Sequence, residues 1–514
     1  MKIELQKFAA HKFKSMKIKF IFFLLLPACV LAQRNPDNFA KKITAKGLKE
    51  KLTILAGANM QGRETATEGQ RSAALFIEAQ FKKIGLQPLP GNQYQLPFPV
   101  YKETIENASL SINGKSCNAS IDFSFNPSRI PAGSWSVEKI IYAGYGLIDS
   151  IDYDGLQPKG KWVLLTEGTA QTPTDNTSRT LIDKVNIAKN KQAAGVIIIQ
   201  KDFPKPPISM SGGMTNQASD ALSANNIPIL YISESLAKQI IQTANAGDIN
   251  FTNIVHGVYP VKMQLDVLKR TEKISSTNVA GLLPGTDKKD EYVFITAHYD
   301  HLGMRDSIIY YGADDDGSGT VTIMQLAEAF STAAKKGNAT RRSIVFMAVS
   351  GEEKGLWGSE YYTSHPIMPL DKTTVDLNID MVGRIDPTRT YGDSTNYIYT
   401  IGDDKLSSLL APITDSINNK YTKMEIDRKF NDPKDPNRFY YRSDHYNFAK
   451  NGVPVIFYFN GTHADYHRPT DTVEKIRFDI MQKRALLVYY TAWHIANMND
   501  MLPRDKPLSQ VGWR

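Results

Sequence analysis

Cysteine is nearly absent from this chain, with two in 514 residues. Cys29 falls in a leader-like segment, so a processed chain keeps Cys117 alone. An intramolecular disulfide is then impossible, and thiolate metal ligation or a cysteine nucleophile has no support. Long apolar runs are equally scarce. After Phe20–Leu26 none approaches the length of a membrane-spanning helix. There is no G-x-S-x-G elbow, no P-loop, no dinucleotide fingerprint, no internal repeat and no low-complexity tract. Arg-rich stripes with interleaved aromatics are missing too. The net charge is +8, but the first 32 residues hold six Lys and one Glu, a net of +5, which leaves +3 for the rest. That balance does not call for a nucleic-acid partner.

The basic start has its own explanation. Lys17 and Lys19 precede Phe20–Leu26, and "PACVLAQ" follows. A charged region, a short apolar region and small residues predict a signal peptide over 1–32, cleaved after Ala32. Translation from Met16 instead of Met1 keeps every part of that signal. An N-terminal anchor is the alternative, and the apolar stretch is short for it. Cys29 in "LLPAC" loosely resembles a lipidation site, with Pro27 a poor fit. The expected destination is periplasmic or extracellular, with no transmembrane segment in the mature chain.

At 514 residues and 42% apolar content the chain can bury more than one core. Apolar residues at three-to-four spacing predict helices within 47–90, the second stopping at Gly85. Strands are expected over 93–113. From about 120 the texture changes to short β-rich runs, "KIIYAGYG", "GKWVLLTEG", "AAGVIIIQ" and "IPILYIS", separated by turn clusters such as "TPTDNTS" and "SMSGGMTNQAS", with a helix near Asp183–Ala194. From about 263 strands and helices alternate: "YVFITA", a helix through "SGTVTIMQLAEAFSTAAKK", "SIVFMAVS", a helix near Gly358–Thr363, "TVDLNID", "VPVIFYF" and a C-terminal helix. This predicts an α/β fold built on a mostly parallel mixed sheet flanked by helices, with a smaller β-rich insert. The expected divisions are a leader over 1–32, a first part of the main domain over 33–119, an insert over 120–262 and the main domain over 263–514.

Five N/O donors appear in order along the second half. They are His298 in "ITAHYDHLG", Asp315 in "GADDDGSGT", Glu353 in "SGEEKGLWGSEYY", Asp380 in "VDLNIDMVGR" and His467 in "THADYHRPTDT". Taken singly, each has an ordinary reading as a packed histidine, a solvated turn or a polar strand end. Together they fall just after predicted strands or, for Asp315, before a helix, where open α/β sheets gather their ligands. Two imidazoles and three carboxylates suit a pair of divalent cations, Zn2+ first, with manganese or cobalt compatible. Glu352 lies beside a ligand and is free to act as a base, which points to metal-assisted hydrolysis. Asp300, two residues from His298, can accept its imidazole N–H and fix the tautomer.

The stretches "HYDH", "GADDDGSG", "GEEKGLWGS", "DMVG" and "YHRPTDT" resemble the co-catalytic dizinc aminopeptidase family that includes secreted bacterial leucyl aminopeptidases, glutamate carboxypeptidase II and the non-enzymatic transferrin receptor. The resemblance covers about residues 45–115 and 265–500, and the 120–262 insert resembles a protease-associated domain. It implies that Asp315 bridges two metals, that His298 and Asp380 complete one site, and that Glu353 and His467 complete the other. It implies Glu352 as general base, Asp300 as support for His298, and Tyr440 as oxyanion donor, with Tyr441 an alternative register. It also implies a cis peptide at Asp315–Asp316. His301 reads as packing or support, His445 and His463 as cleft neighbours, and Asp444 as a pocket residue or helix cap.

The function expected on these grounds is an exported dizinc exopeptidase that removes N-terminal residues from peptides, through water activated by Glu352. A carboxypeptidase or dipeptidase of the same family competes, with Arg438 and Arg442 as candidate carboxylate binders. A glutaminyl cyclase-like enzyme would need one zinc, and a non-catalytic binding protein would have lost ligands. The oligomeric state leaves no mark in the sequence.

Overall fold

The computed structural model describes residues 35–127, 129–169, 178–203, 213–218, 226–241 and 254–507. The predicted leader, with Met16, Cys29 and the Ala32 cleavage point, lies outside the described residues, as do parts of both turn clusters.

Four strands stand side by side and mutually parallel at the centre: Arg342–Val349, Lys288–His298, Thr373–Ile379 and Val455–Phe459. Antiparallel neighbours flank them, Gly257–Leu283 on one side and Tyr397–Ile401 on the other. The mixed, mostly parallel sheet is thus as expected. Its central strands are unbroken β-branched and aromatic runs because both faces are covered. Alternation then sorts the residues. Ile295, Phe346, Leu377 and Ile456 pack against helices Ala45–Leu55, Glu68–Ile84, Gly319–Lys335 and Phe478–Asn497. Phe294, Val345, Met347 and Phe457 face the other way, toward Trp357–Ser364 and His445–Lys450.

Local signals explain where helices begin and end. Thr44 and Thr67 cap the first two long helices with their hydroxyls, accepting from the amides of Gly47 and Gln70. Gly85 ends the second at φ +89°, a left-handed position that glycine takes without strain.

One antiparallel ribbon carries the chain from the main sheet to the segment between. Gln95–Ile112 leads out and Gly257–Leu283 leads back, paired from Gln95↔Val279 to Ile112↔Met263. The 27-residue return strand pairs at one end with Gly133–Tyr142 and at the other with Arg342–Val349. Beyond the ribbon, Gly133–Tyr142, Trp162–Thr166, Gly195–Gln200 and Ile229–Ser233 form a parallel set with its own apolar cluster, including Phe123, Trp162, Ile197 and Leu265. The helix expected at Asp183–Ala194 runs instead over Ser178–Asn190. The chain turns at Gln192, φ +59°, and Ala194 is released to bond Lys161 beside the next strand. A single helical period cannot mark that turn, because Ala193 and Ala194 continue the apolar pattern.

Among the described residues, no helix is long and apolar enough to cross a membrane.

Candidate metal centre

The carboxyl ends of the four parallel strands open on one side of the sheet. His298 is the last residue of its strand, Asp380 follows Ile379, Glu352 and Glu353 follow Val349, and the loop after Phe459 brings back His467. Asp315 comes from the kinked turn that precedes helix Gly319–Lys335. Gly319 allows that approach. A Cβ there would stand 2.2 Å from the Ile379 carbonyl and 2.5 Å from the Asp316 carboxylate.

The five expected ligands converge. His298 Nε2 is 3.3 Å from Asp315 Oδ1 and 3.6 Å from Asp380 Oδ1. On the other side, His467 Nε2 is 3.1 Å from both Asp315 Oδ2 and Glu353 Oε2. Donors about 2.0–2.1 Å from a tetrahedral ion stand about 3.3 Å from one another, which is the spacing found here. The unsatisfied atoms point the same way. Asp315 Oδ2 and Glu353 Oε1 are buried and make no hydrogen bond among the described residues. Such atoms are costly unless something bonds them. The residues present therefore fit divalent metal. Asp315 offers one oxygen to each group.

Two further residues crowd these groups. His301, fully buried, brings Nδ1 to 2.8 Å from Glu353 Oε1, and the two are not aligned as a hydrogen bond. It forms a compact donor set with Asp315 and Glu353. Asp316 forms another with His298 and Asp380. Its Oδ1 is already taken by the amides of Gly319 and Met381 at 2.8 and 3.1 Å. The Asp315–Asp316 peptide is cis, as expected.

Hydrogen bonds around the cluster hold the ligands in place. His298 Nδ1 is 3.0 Å from the Asp300 carbonyl, which leaves Nε2 free toward the cluster. Asp300 meets the imidazole most closely through its main chain. Its backbone oxygen holds the imidazole, while its carboxylate stands 3.7 Å away and accepts from Thr65 Oγ1 at 2.7 Å and the Glu352 amide at 3.3 Å. Ser443 Oγ donates to Asp380 Oδ2 at 2.7 Å. Asp471 Oδ2 accepts the amides of Asp314 and Asp315 at 2.9 and 3.1 Å. Arg63, fully buried, donates to the carbonyls of Tyr299, Leu55, Tyr311 and Gly312, tying together the two loops that carry His298 and Asp315.

So many carboxylates in one dry place shift one another. Burial opposes a charged His298, yet Asp380, Glu352, Asp300 and Asp315 hold its pKa well above the ordinary value. Burial pushes Glu352 well above the usual carboxylate range, against the pull of His298 and with Glu353, Asp380 and Asp444 adding to it. Burial also lifts Asp444, to about 7. Asp315 goes the other way: burial is outweighed by His298, His467 and His301.

The cleft over the cluster is lined by Asp315, Glu352 and Asp380, with Met381, Phe439, Arg442, Phe457, Phe459, Thr462 and Tyr466. Tyr440 is not among them. Its ring packs with Tyr441, His445 and Tyr446, and its buried hydroxyl has no hydrogen-bond partner among the described residues. The phenol at the cleft is Tyr466. Its ring stacks on His467 at 3.9 Å, and its hydroxyl accepts from Arg442 Nη2 at 3.2 Å. Burial raises the Tyr466 pKa, and Asp315, Glu353 and Glu352 add to the rise. The sequence signal for it was its place beside a ligand histidine. Arg438 faces Tyr441 and Asp435, away from the cleft.

The grouped donors, together with the family match and the relatives that follow, identify a zinc metallopeptidase. Residues 278–492 match the model described as Peptidase family M28. Leucine aminopeptidase 2 of Trichophyton rubrum is 25% identical over 466 residues, covering 86% of this chain and 82% of that protein. Leucine aminopeptidase 2 of Arthroderma otae is 25% identical over 500 residues, covering 92% and 88%. Among solved structures, the aminopeptidase from Aneurinibacillus sp. strain AM-1 has a TM-score of 0.56 at 18% identity, covering 93% of this chain and 99% of that one. BSAP, a zinc aminopeptidase from Bacillus subtilis, has a TM-score of 0.51 at 20% identity, covering 90% and 99%. These two share its fold.

Proposed function

We propose that the protein is an exported dizinc aminopeptidase that removes N-terminal residues from peptides. The observation that carries the reading is the division of Asp315, with Oδ1 3.3 Å from His298 and Oδ2 3.1 Å from His467. His298, Asp380 and one oxygen of Asp315 would hold one ion; Glu353, His467 and the other oxygen would hold the second. Such a pair supplies Lewis acidity and lowers the pKa of water toward neutrality.

The chain's own residues do the rest. Glu352 reaches the cleft without being one of the five ligands, so its carboxylate can take a proton from the attacking water and return it to the leaving amine. Tyr466, rather than Tyr440, can donate its phenol to the oxyanion that develops on the scissile carbonyl. A peptide's free amino group can be held at one ion position while the other activates water. An acetylated end offers no such amine and is bulkier. This supports trimming from the N-terminus. The relatives, both leucine aminopeptidases, agree with it. Export rests on the charged and apolar leader, and the protease-associated assignment of 120–262 rests on its sequence texture and on a core of its own.

The test is digestion of one peptide mixture beside its N-acetylated copy, read by mass spectrometry, with Glu352→Gln as control. Stepwise N-terminal loss from the free peptides alone, absent in the control, is the expected outcome. Equal cleavage of both mixtures, or trimming from the carboxyl end, would sink the reading.

A further inference from the structure

Among the described residues, the cleft over the cluster is lined by one arginine, and that arginine has no carboxylate partner. Arg442 lines the same cleft as Asp315, Glu352 and Asp380. Its surroundings differ from those of three other arginines in this half of the chain. Arg384 meets Asp465 at 2.9 Å, and Arg428 meets Asp403 and Asp415 at 2.8 and 2.9 Å. Arg477 meets Asp479 at 2.9 Å. Arg442 has no carboxylate within ion-pair distance among the described residues, and its hydrogen bond goes to a phenol, Tyr466, at 3.2 Å. A guanidinium carries five N–H donors in a planar fork, so most of its capacity remains unused.

The fork is nevertheless held. Its Cζ lies 4.8 Å from the centre of the Phe439 ring, and Phe439, Phe457 and Phe459 wall the cleft beside it. Apolar walls raise the strength of any charge contact made there. The cleft is therefore bipolar, with Glu352 and Asp380 at the metal cluster and Arg442 at the rim. A short free peptide is bipolar in the same sense.

We propose that Arg442 recognises a carboxylate on the substrate, and that this site favours short peptides bearing an anionic group beside the scissile bond. The inference rests on the aminopeptidase reading. Two sources share that chemistry: the terminal carboxylate of a dipeptide and the acidic side chain of the first residue. The competing role is simpler. Arg442 would only steady the Tyr466 hydroxyl, and every substrate would then depend on it equally.

Binding separates these without turnover. Metal-loaded Glu352→Gln protein is titrated calorimetrically with Leu-Gly and Leu-Gly amide, then with Glu-Gly amide and Gln-Gly amide. Within one pair the acid is expected to bind about tenfold tighter, the low end for a charge-assisted contact at a partly open site. The first pair reports the terminal carboxylate, the second the side chain. Adding Arg442→Gln is expected to bring that ratio to about one, while Arg442→Lys keeps part of it. Arg442 is exposed, so its variants are expected to melt as the parent does, which a thermal scan checks. Equal binding within both pairs, no binding of any ligand, or a ratio that survives Arg442→Gln would overturn the proposal. Failure of the wild-type enzyme to trim free peptides, with the binding ratio intact, would strike the aminopeptidase reading instead.

Discussion

The two ligand groups differ in how they are held. Around His298 everything is closed: the side chains of His298, Asp315 and Asp380 are 1%, 5% and 9% exposed. The imidazole rests on the Asp300 carbonyl, just past its own strand, and Asp380 on Ser443, just before helix His445–Lys450; both are buried. Around Glu353 the group is half loop. His467 is 37% exposed, sits at φ +57° in a turn, and leans on the ring of Tyr466. Left-handed backbone at a histidine is uncommon and persists where its surroundings impose it. A rigid, buried donor set loses little freedom on binding an ion, whereas a mobile one pays that cost each time. The inner group should therefore retain its ion longer, and the outer one should exchange first.

The largest effects come from removing the residue both groups share. Asp315→Ala should lower bound metal at both positions and cut peptide hydrolysis by on the order of a thousandfold, since several kcal/mol of charge stabilisation depends on those ions. His467→Ala should remove one equivalent and leave the other in place. Metal analysis after dialysis reads both variants. If His467→Ala empties the protein as thoroughly as Asp315→Ala, the two groups are not separable, and the inner–outer distinction fails.

Smaller, and confined to one side, is the effect of Ser443→Ala. It removes the hydroxyl that donates to Asp380 Oδ2 at 2.7 Å and accepts from Asn378 Nδ2 at 2.8 Å. Loss of such a supporting bond typically costs about 10–100-fold in metal affinity. Competition with a graded chelator should show that loss for the slowly exchanging ion alone. A loss shared equally by both ions would mean that the serine supports the fold rather than the inner group.

The grouping of the five candidate ligands was legible because each sits in a short polar motif, four of them just past an unmistakable apolar strand, and strand ends converge by topology. "DLNID" and "GEEKG" needed no tertiary knowledge to be noticed. What could not be read acts through the backbone or through direction. Asp471 and Arg63 serve amides and carbonyls, so nothing in their neighbours' side chains announces them. The tyrosines show the second kind of failure. Tyr440, Tyr441 and Tyr466 are equally good phenols in sequence. Which hydroxyl meets the cleft is decided by the turn that brings His467 back, and Tyr466 goes with it. The same holds for the two arginines of that stretch, where φ +54° at Arg438 sends its side chain toward Tyr441 and leaves Arg442 at the cleft.

A third histidine tests whether the carboxylates, rather than burial, make the cluster what it is. His445 is fully buried, as His298 is, but it stacks on Phe457 at 4.8 Å and touches the Tyr440 ring instead of facing carboxylate oxygens. Burial pushes its pKa down to about 3, where the carboxylates hold His298 up. In the folded chain His445 is therefore neutral across the range where the unfolded chain, with a pKa near 6.5, takes up a proton. Its contribution to stability is complete above about pH 6.5 and is lost progressively as pH falls from there toward 3. At 1.36 kcal/mol per unit the full effect is on the order of 5 kcal/mol, an upper limit for a group whose surroundings can relax. His445→Phe keeps an aromatic ring against Phe457 and removes the titration. Urea unfolding of chelator-treated protein at pH 7.5, 6 and 5 should show the wild type losing stability faster than the variant. Parallel pH profiles would mean that His445 is solvated or paired in solution, and that burial alone does not distinguish it from His298.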